Sequence, residues 1–428
     1  MPTSIEFRAD PGWARAQDDA DPLHALREEF LIPPHTQGAQ TYLVGNSLGL
    51  QPRGVRQAVV DELDDWARLG VEGHLRARHP WLPYHTEVRA GLAEVVGAQP
   101  LEVVAMNSLT VNLHLLLVGF YRPTPERHAI LIERNAFPSD RDLATSQIRF
   151  HGYDPREALI ELDADEPGGT ISMQAVERAL GEHGKRIALV LWPGVQYLTG
   201  QAFDLAAITK LAHARGCMVG FDLAHAAGNI DLRLHDSDCD FAAWCSYKYL
   251  NSGPGAVAGA FVHARHARAD LPRFEGWWGR NEATRFEMRP DFDPTPGAEG
   301  WQLSNPPILA LAPLRVSLDL FRRAGIANLR AKSRRLTAYL AWLIETQLAG
   351  TLEILTPAEP ERRGAQLSVR VRAGRNAGQS LFDYMVAHGV LGDWREPDVM
   401  RIAPAPLYNT FTDCLRYADA ARAWRMAR

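Results

Sequence analysis

Cysteine is scarce in this chain: Cys217, Cys239, Cys245 and Cys414 are the only four in 428 residues. That is too few for a disulfide framework, and no two stand as C-x-x-C, the usual spacing of a structural zinc site. No metal is expected. Long apolar runs are also lacking. The longest, around Leu113–Phe120, falls far short of the roughly 20 residues that span a bilayer. Neither sign of charge dominates: 46 Lys and Arg face 51 Asp and Glu, for a net charge of −5. Such a balance argues against a chain that coats nucleic acid or binds an anionic membrane. The first thirty residues carry Asp10, Asp18, Asp19, Asp21, Glu28 and Glu29 and no apolar stretch. No secretory signal is expected there, and the cytoplasm is the expected compartment. What is present is an ordinary globular composition, 46% hydrophobic and 23% charged, on a length that suits two or three domains.

The pattern changes along the chain. Residues 1–40 are polar and read as an arm, with Pro33-Pro34 near its end. Residues 53–70 carry Val55, Val59, Leu63 and Trp66 at helical spacing. From about 100 to 265, short apolar runs alternate with helical stretches. HAILIE (128–133), IALVLW (187–192), CMVGFD (217–222), FAAWC (241–245) and AVAGAFV (256–262) read as buried strands, with helices over 173–181 and 204–216. Asp204 is a good N-cap for the second of these. Alternation of this kind predicts an α/β fold, a mostly parallel sheet covered on both faces. Residues 267–303 are rich in Trp, Arg, Gly and Pro without a period, which marks a functional or connecting loop. Beyond Pro306-Pro307 the chain reads as helical over 308–348. A small α+β module follows, with strands over 366–371 and 399–403 and helices over 380–388 and 410–427.

Gly45-Asn46-Ser47-Leu48-Gly49 matches G-x-S-x-G, which in α/β-hydrolases sets a nucleophilic serine on a strand-to-helix turn. Here it precedes any parallel sheet, and Pro52 and Gly54 follow where a helix should already run, so it reads as a turn. Gly253-Pro254-Gly255 with Gly259 is only loosely like a dinucleotide loop, and no helix follows it. The stronger constellation lies between 217 and 255. One strand ends in Asp222, with His225 three residues on. Ser246-Tyr247-Lys248-Tyr249 follows the next strand. Ligands of open parallel sheets sit beyond the carboxyl ends of the strands. An acid and a lysine at two such ends can face one planar cofactor, and pyridoxal phosphate needs that pair: a lysine for its aldehyde and an acid for its ring nitrogen. Taken singly, Lys248 could be a surface lysine, Asp222 a helix cap and His225 a core histidine; capping does not explain all three together. Asn107-Ser108-Leu109-Thr110, at the start of an apolar helix, offers an anion cup for a phosphate. Phe137, after another strand end, can stack on the ring.

The words around these residues resemble a known family. YLVGNSLGLQP (42–52), ERNAFPSD (133–140), PGVQYLTGQ (193–201), GFDLAHAAGN (220–229), WCSYKYLNSGPG (244–255), GWWGRNEATRF (276–286), LSNPPI (303–308) and MRIAPAPLYNTF (400–411) are similar to kynureninase. The resemblance implies a fold-type-I pyridoxal-phosphate enzyme. It has an N-terminal arm and a segment packing with the small domain over 1–60, a large cofactor-binding domain over 61–305 and a small α+β domain over 306–428. It implies that Lys248 carries the cofactor, that Asp222 partners its ring nitrogen and that Phe137 stacks on it. Leu109, Thr110, Ser139, Asp140, His225 and Tyr247 complete the cofactor site, and Tyr247 moves protons. Trp277 and Asn305 reach in from the other subunit of a homodimer whose active sites lie at the interface, and Arg401 clamps the substrate α-carboxylate. The implied reaction cleaves L-kynurenine or its 3-hydroxy form to an anthranilate and L-alanine, in tryptophan catabolism or NAD biosynthesis. His74, Ser304 and Asn305 would meet the substrate ring, a polar set that suits the 3-hydroxy compound. Two positions depart from the family: Pro193 stands where many members have Ser, and Arg280 where many have His. The rivals are another pyridoxal-phosphate lyase of the desulfurase kind, which needs a cysteine on a mobile loop, and a non-catalytic cofactor-binding protein.

Overall fold

The computed structural model of the chain describes residues 6–36 and 38–427. Helix α1 (Pro11–Asp19) starts at Asp10, whose carboxylate accepts from Trp13 N at 2.8 Å. Helix α2 (Gly54–Leu69) follows the extended lead-in. The large sheet comprises β1 (Val103–Ala105), β2 (Ala129–Glu133), β3 (Leu159–Leu162), β4 (Ile187–Pro193), β5 (Met218–Asp222), β6 (Phe241–Trp244) and β7 (Gly259–Val262), in the order β1-β7-β6-β5-β4-β2-β3. β3, β2, β4, β5 and β6 run parallel, and β7 is antiparallel to both β6 and β1.

Alternate side chains of these strands feed two cores, which is why the strands read as unbroken apolar runs. Ile130, Ile132, Leu189, Leu191, Phe241 and Ala243 face one way, onto helices α3 (Leu109–Phe120) and α4 (Pro138–Phe150). Leu131, Val190, Trp192, Phe221, Ala242 and Trp244 face the other. That side is covered by α5 (Met173–His183), α6 (Leu205–His213) and α7 (Ile308–Ala324). Helix α8 (Ile326–Gln347) leads to an antiparallel sheet of β8 (Leu352–Ile354), β9 (Leu367–Val371), β10 (Asp393–Arg395) and β11 (Val399–Ile402), ordered β8-β9-β11-β10. Helices α9 (Arg375–Ala387) and α10 (Phe411–Met426) cover it.

Three details go beyond the sequence pattern. The helical stretch 308–348 is two helices, broken at Gly325, whose φ of +75° is a glycine conformation. Helix α7 packs in the large core, and the second core takes side chains from Leu336 onward together with Ala14 and Leu43. The two cores therefore hand over inside α8, whereas the proline pair suggests residue 306. Strands β1 and β3 carry no clear signal: one has three residues, and the other is a half-exposed edge strand interrupted by Glu161.

Candidate active site

The carboxyl ends of β2, β4, β5 and β6 open onto a cavity of about 290 Å³. β5 delivers Asp222, whose side chain accepts from Ala224 N at 2.6 Å, so it does cap the following turn while still lining the cavity. That turn carries His225 inward, and His225 Nε2 lies 2.9 Å from Lys248 Nζ. Lys248 sits on a tight turn after β6, closed by Asn251 N donating to Lys248 O at 3.0 Å and Ser252 N donating to Ser246 O at 3.0 Å. The G-x-S-x-G segment finds its place here. Gly49 N donates to Tyr247 O at 2.8 Å, and a Cβ on Gly49 would stand 2.3 Å from Lys248 O. The segment is a brace beneath the lysine turn, and a side chain at 49 would push that turn away.

Two helix N-termini point at the same space. Ser108 holds the N-cap position of α3 without using its hydroxyl as a cap, and Ser108, Leu109 and Thr110 all line the cavity. α4 begins after Phe137 and presents Ser139 and Asp140 in its first turn. Amides at helix starts suit a phosphate. The Phe137 ring is 44% exposed and meets Tyr197 edge-on, with centroids 5.2 Å apart.

Electrostatics single out this cavity. Burial pushes the Glu133 carboxyl up to about 8, against a 3.3 Å hydrogen bond from Gln196 Nε2. Burial raises Asp140 strongly and Asp222 as well. The two share a hydrogen bond that favours the proton on Asp140 and the charge on Asp222, which the Lys248 charge also supports. His225 is driven well down by burial and then by the Lys248 charge, so it is neutral. Burial raises the Tyr247 phenol. Perturbed groups gathered in one cleft are the mark of a reactive site.

Arg401, on β11, is 1% exposed, does not itself line the cavity, and is already engaged. Its Nε donates to Asp393 Oδ1 at 2.7 Å, its Nη2 to Asp393 Oδ2, and its Nη1 to Tyr197 O at 2.7 Å. A guanidinium has five N–H groups, so one on each terminal nitrogen is left for a carboxylate. The remaining expected residues lie elsewhere. Trp277 is 37% exposed and donates to Arg285 O at 3.3 Å, Ser304 and Asn305 are exposed before α7, and His74 meets Trp81 edge-on. None of these four lines the cavity. Glu133, Val195 and Tyr197 do line it, and the sequence did not single them out. Glu133 had a signal of the same kind as Asp222, an acid closing a buried strand.

Pyridoxal phosphate fits these residues. The cavity holds an amine and a carboxylate, hydroxyls and amides for a phosphate, and His225 Nδ1, which is buried without a partner. Among the described residues, Glu102, His235 and His263 have the spacing of metal ligands, away from this cavity. Glu102 Oε1 already accepts from His235 Nδ1 at 2.9 Å and Ala264 N at 2.8 Å, and His263 Nδ1 accepts from Arg265 N at 3.1 Å.

Comparison with known proteins adds three findings. Residues 329–420 match the family model of the kynureninase C-terminal domain. A kynureninase of Xanthomonas euvesicatoria pv. vesicatoria is 63% identical over 414 residues, covering 97% of this chain and 98% of that protein. One from Stenotrophomonas maltophilia is 62% identical over 412 residues, covering 96% and 97%. Among solved structures, the cysteine desulfurase CsdA of Escherichia coli superposes with a TM-score of 0.74 at 17% identity, covering 95% of this chain and 98% of that one. A cystine C-S lyase mutant with glycine covalently linked to its PLP cofactor gives 0.72 at 17%, covering 89% and 96%. These two share the fold. All four cysteines of this chain are free and buried.

Proposed function

Since the chain belongs to the kynureninase family, we propose that the strand-end cavity is its active site, with Lys248, Asp222 and Tyr247 as the catalytic residues. The protein is a fold-type-I pyridoxal-phosphate enzyme and a hydrolase of carbon–carbon bonds. It cleaves L-kynurenine or 3-hydroxy-L-kynurenine between Cβ and Cγ, giving anthranilate or 3-hydroxyanthranilate and L-alanine. On the same reading it works in the cytoplasm, in tryptophan catabolism or NAD biosynthesis. No helix among the described residues is long and apolar enough to cross a membrane.

Pyridoxal phosphate, when bound, supplies an aldehyde for the substrate amine and a ring that draws electrons from the reacting carbons. Leu109, Thr110 and Ser139 would hold its phosphate, Phe137 would stack on its ring, and Asp222 would keep the ring nitrogen protonated. Lys248 faces a neutral histidine at 2.9 Å, so its amine can take a proton from the substrate Cα and return one. Tyr247 keeps its phenol proton at neutral pH and delivers it near the γ-carbonyl and Cβ, where water adds and the bond breaks. Arg401, oriented by Asp393, offers its two free N–H groups to the α-carboxylate.

The homodimer belongs to this proposal. Trp277, Ser304, Asn305 and His74 are residues for the neighbouring subunit's site. They are exposed or half-exposed and outside their own cavity; His74 meets Trp81, which lines a groove with Glu62, Trp66 and residues 307–310. One observation carries the whole reading: Lys248, His225 and Asp222 meet in a single buried cavity at the ends of adjacent strands. The experiment is to give the cofactor-loaded protein L-kynurenine and follow anthranilate fluorescence and L-alanine. Equimolar formation of both is expected, and absence of either overturns the reading.

A further inference from the structure

We propose that Gln366 is a positioning residue for the reaction. Together with Arg401 it grips the backbone carbonyl of Tyr197, and through the Tyr197 ring it holds Phe137 in place over the cavity. This rests on the reading of Arg401 as carboxylate clamp and of Phe137 as stacking ring.

Gln366 lies just before β9 and is 1% exposed. Its Oε1 accepts from Asn46 Nδ2 at 3.3 Å, and its Nε2 donates to Tyr197 O and to Ser368 Oγ, each at 3.0 Å. Both amide hydrogens and one lone pair are therefore in use. One side chain ties together the turn that braces Lys248, the second sheet, and the loop after β4. Tyr197 O receives a second donor, Arg401 Nη1, at 2.7 Å. A carbonyl with both lone pairs bound, one of them by a charged donor, cannot rotate without losing both bonds. The peptides that follow are tied to the same sheet: Ser368 Oγ donates to Leu198 O and Thr356 Oγ1 to Thr199 O, each at 2.5 Å.

From its other side the loop is held by Gln196, whose Oε1 accepts from Leu198 N at 2.6 Å and Thr199 N at 2.7 Å. With its backbone fixed on both sides, Tyr197 has little freedom except about its side-chain bonds, and its ring rests edge-on against Phe137. The route from carboxylate clamp to stacking ring is two contacts long. It passes through a residue whose carbonyl serves one end and whose ring serves the other.

The test measures KM, kcat and cofactor affinity, the last by dialysis with tryptophan fluorescence as readout, in Gln366→Leu, Tyr197→Ala and the double variant. Gln366→Leu is expected to raise KM and weaken cofactor binding by about tenfold, with a smaller change in kcat; this is an interaction of ~1.4 kcal/mol within the range for coupled neighbours. Because Gln366 acts through Tyr197, the double variant should bind cofactor no more weakly than Tyr197→Ala alone. Additive losses, or wild-type constants in Gln366→Leu, overturn the proposal. If Gln366→Leu does not fold, Asn46→Ala, which removes the donor to the amide oxygen, is read in the same cycle with the same two criteria. Arg401→Ala is measured alongside. A raised KM there with an unaffected Gln366→Leu refutes the role of Gln366 alone; an unchanged KM there refutes the clamp, and this inference with it.

Discussion

Apart from Arg401, which is buried but outside the cavity lining, the residues expected at the active site fall into two groups with opposite surroundings. Asp222, His225, Tyr247, Lys248, Leu109, Thr110, Phe137, Ser139 and Asp140 converge on one cavity within a single chain. Trp277, Ser304, Asn305 and His74 do not; they sit around the long loop and on the surface near α7. The first group hangs on strand ends and helix starts, where the regular backbone fixes each Cα, and the Asp222 side chain is further aimed by Ala224 N. In the second, His74 stands on a one-turn helix (Gly73–Arg76), Trp277 on a 3-10 turn held by its bond to Arg285 O, and Ser304 and Asn305 on irregular backbone. On the proposed reading, one chain completes the first half of the site, and the second half needs another chain. The comparison therefore makes separate claims about each half.

The first half breaks most severely. Lys248→Ala should abolish the visible absorption of the bound cofactor and lower turnover by more than ~10³-fold, because both the attachment point and the proton carrier are gone. Asp222→Ala should keep the fold and lose most activity, since the ring nitrogen no longer stays protonated. Retained turnover with cofactor bound would make Asp222 only the cap that its bond to Ala224 N also makes it.

The second half is tested by sharing. If Trp277 serves the neighbouring site, Trp277→Ala and Lys248→Ala damage different subunits' contributions to one site. Refolding the two inactive variants together should restore roughly a quarter of the wild-type sites, as random pairing in a twofold dimer dictates. Activity no higher than that of the parents would place Trp277 outside the partner's site and collapse the contrast between the halves.

Glu133 sharpens the electrostatics of the first half. Its proton is held up to about pH 8 in the folded chain against an ordinary value of 4.5, so the unfolded chain binds fewer protons over that interval. Stability of the cofactor-free protein should therefore fall as pH rises from 4.5 towards 8, by a few kcal/mol at ~1.4 kcal/mol per unit, and Glu133→Gln should flatten that fall. Denaturant melts between pH 6.5 and 8 read it as the difference between the wild type and Glu133→Gln, since Asp140, also raised by burial, adds a slope of the same sign. Below that window buried His85, held down to about 4, contributes a slope of opposite sign. An identical slope in Glu133→Gln would mean the carboxyl is ionised in the fold.

The legible half of the site and the legible half of the fold are the same residues. Buried strands announce themselves as apolar runs, and a charged or polar residue closing such a run stands out, as Asp222 does. Glu133 closes HAILIE in the same way, but a single acid there fits a solvated strand end equally well. Tyr197 had no signal, since its position depends on Gln366 and Arg401, which lie 169 and 204 residues further along the chain. The break at Gly325 shows in the sequence only as a lone glycine between two stretches of helical periodicity. The expectation that Arg401 is a clamp left out Asp393, because ion pairs between neighbouring antiparallel strands depend on register, which sequence spacing does not give.

The smallest expected effect concerns the substrate ring, and it bears on the half that needs a partner. His74 is half-buried, held edge-on by Trp81 with ring centroids 5.5 Å apart, and its Nδ1 is buried without a hydrogen-bond partner. Ser304 and Asn305 stand exposed just before Pro306-Pro307. A set of three polar groups presented to an aromatic ring can bind a ring hydroxyl, and each is left unpaired when that hydroxyl is missing. Sites built to bond a hydroxyl discriminate against its absence more strongly than apolar pockets discriminate against its presence. The wild-type enzyme should therefore show a kcat/KM for 3-hydroxykynurenine above that for kynurenine. Replacing the polar pair by His74→Trp with Asn305→Thr should move the ratio about tenfold towards kynurenine, the loss of roughly one hydrogen bond's discrimination. The readout is the ratio, so a general loss of activity from a disturbed loop cancels. A wild-type ratio that favours kynurenine, or a ratio unmoved in the double variant, would detach His74 and Asn305 from the ring and leave them as surface residues of the dimer face.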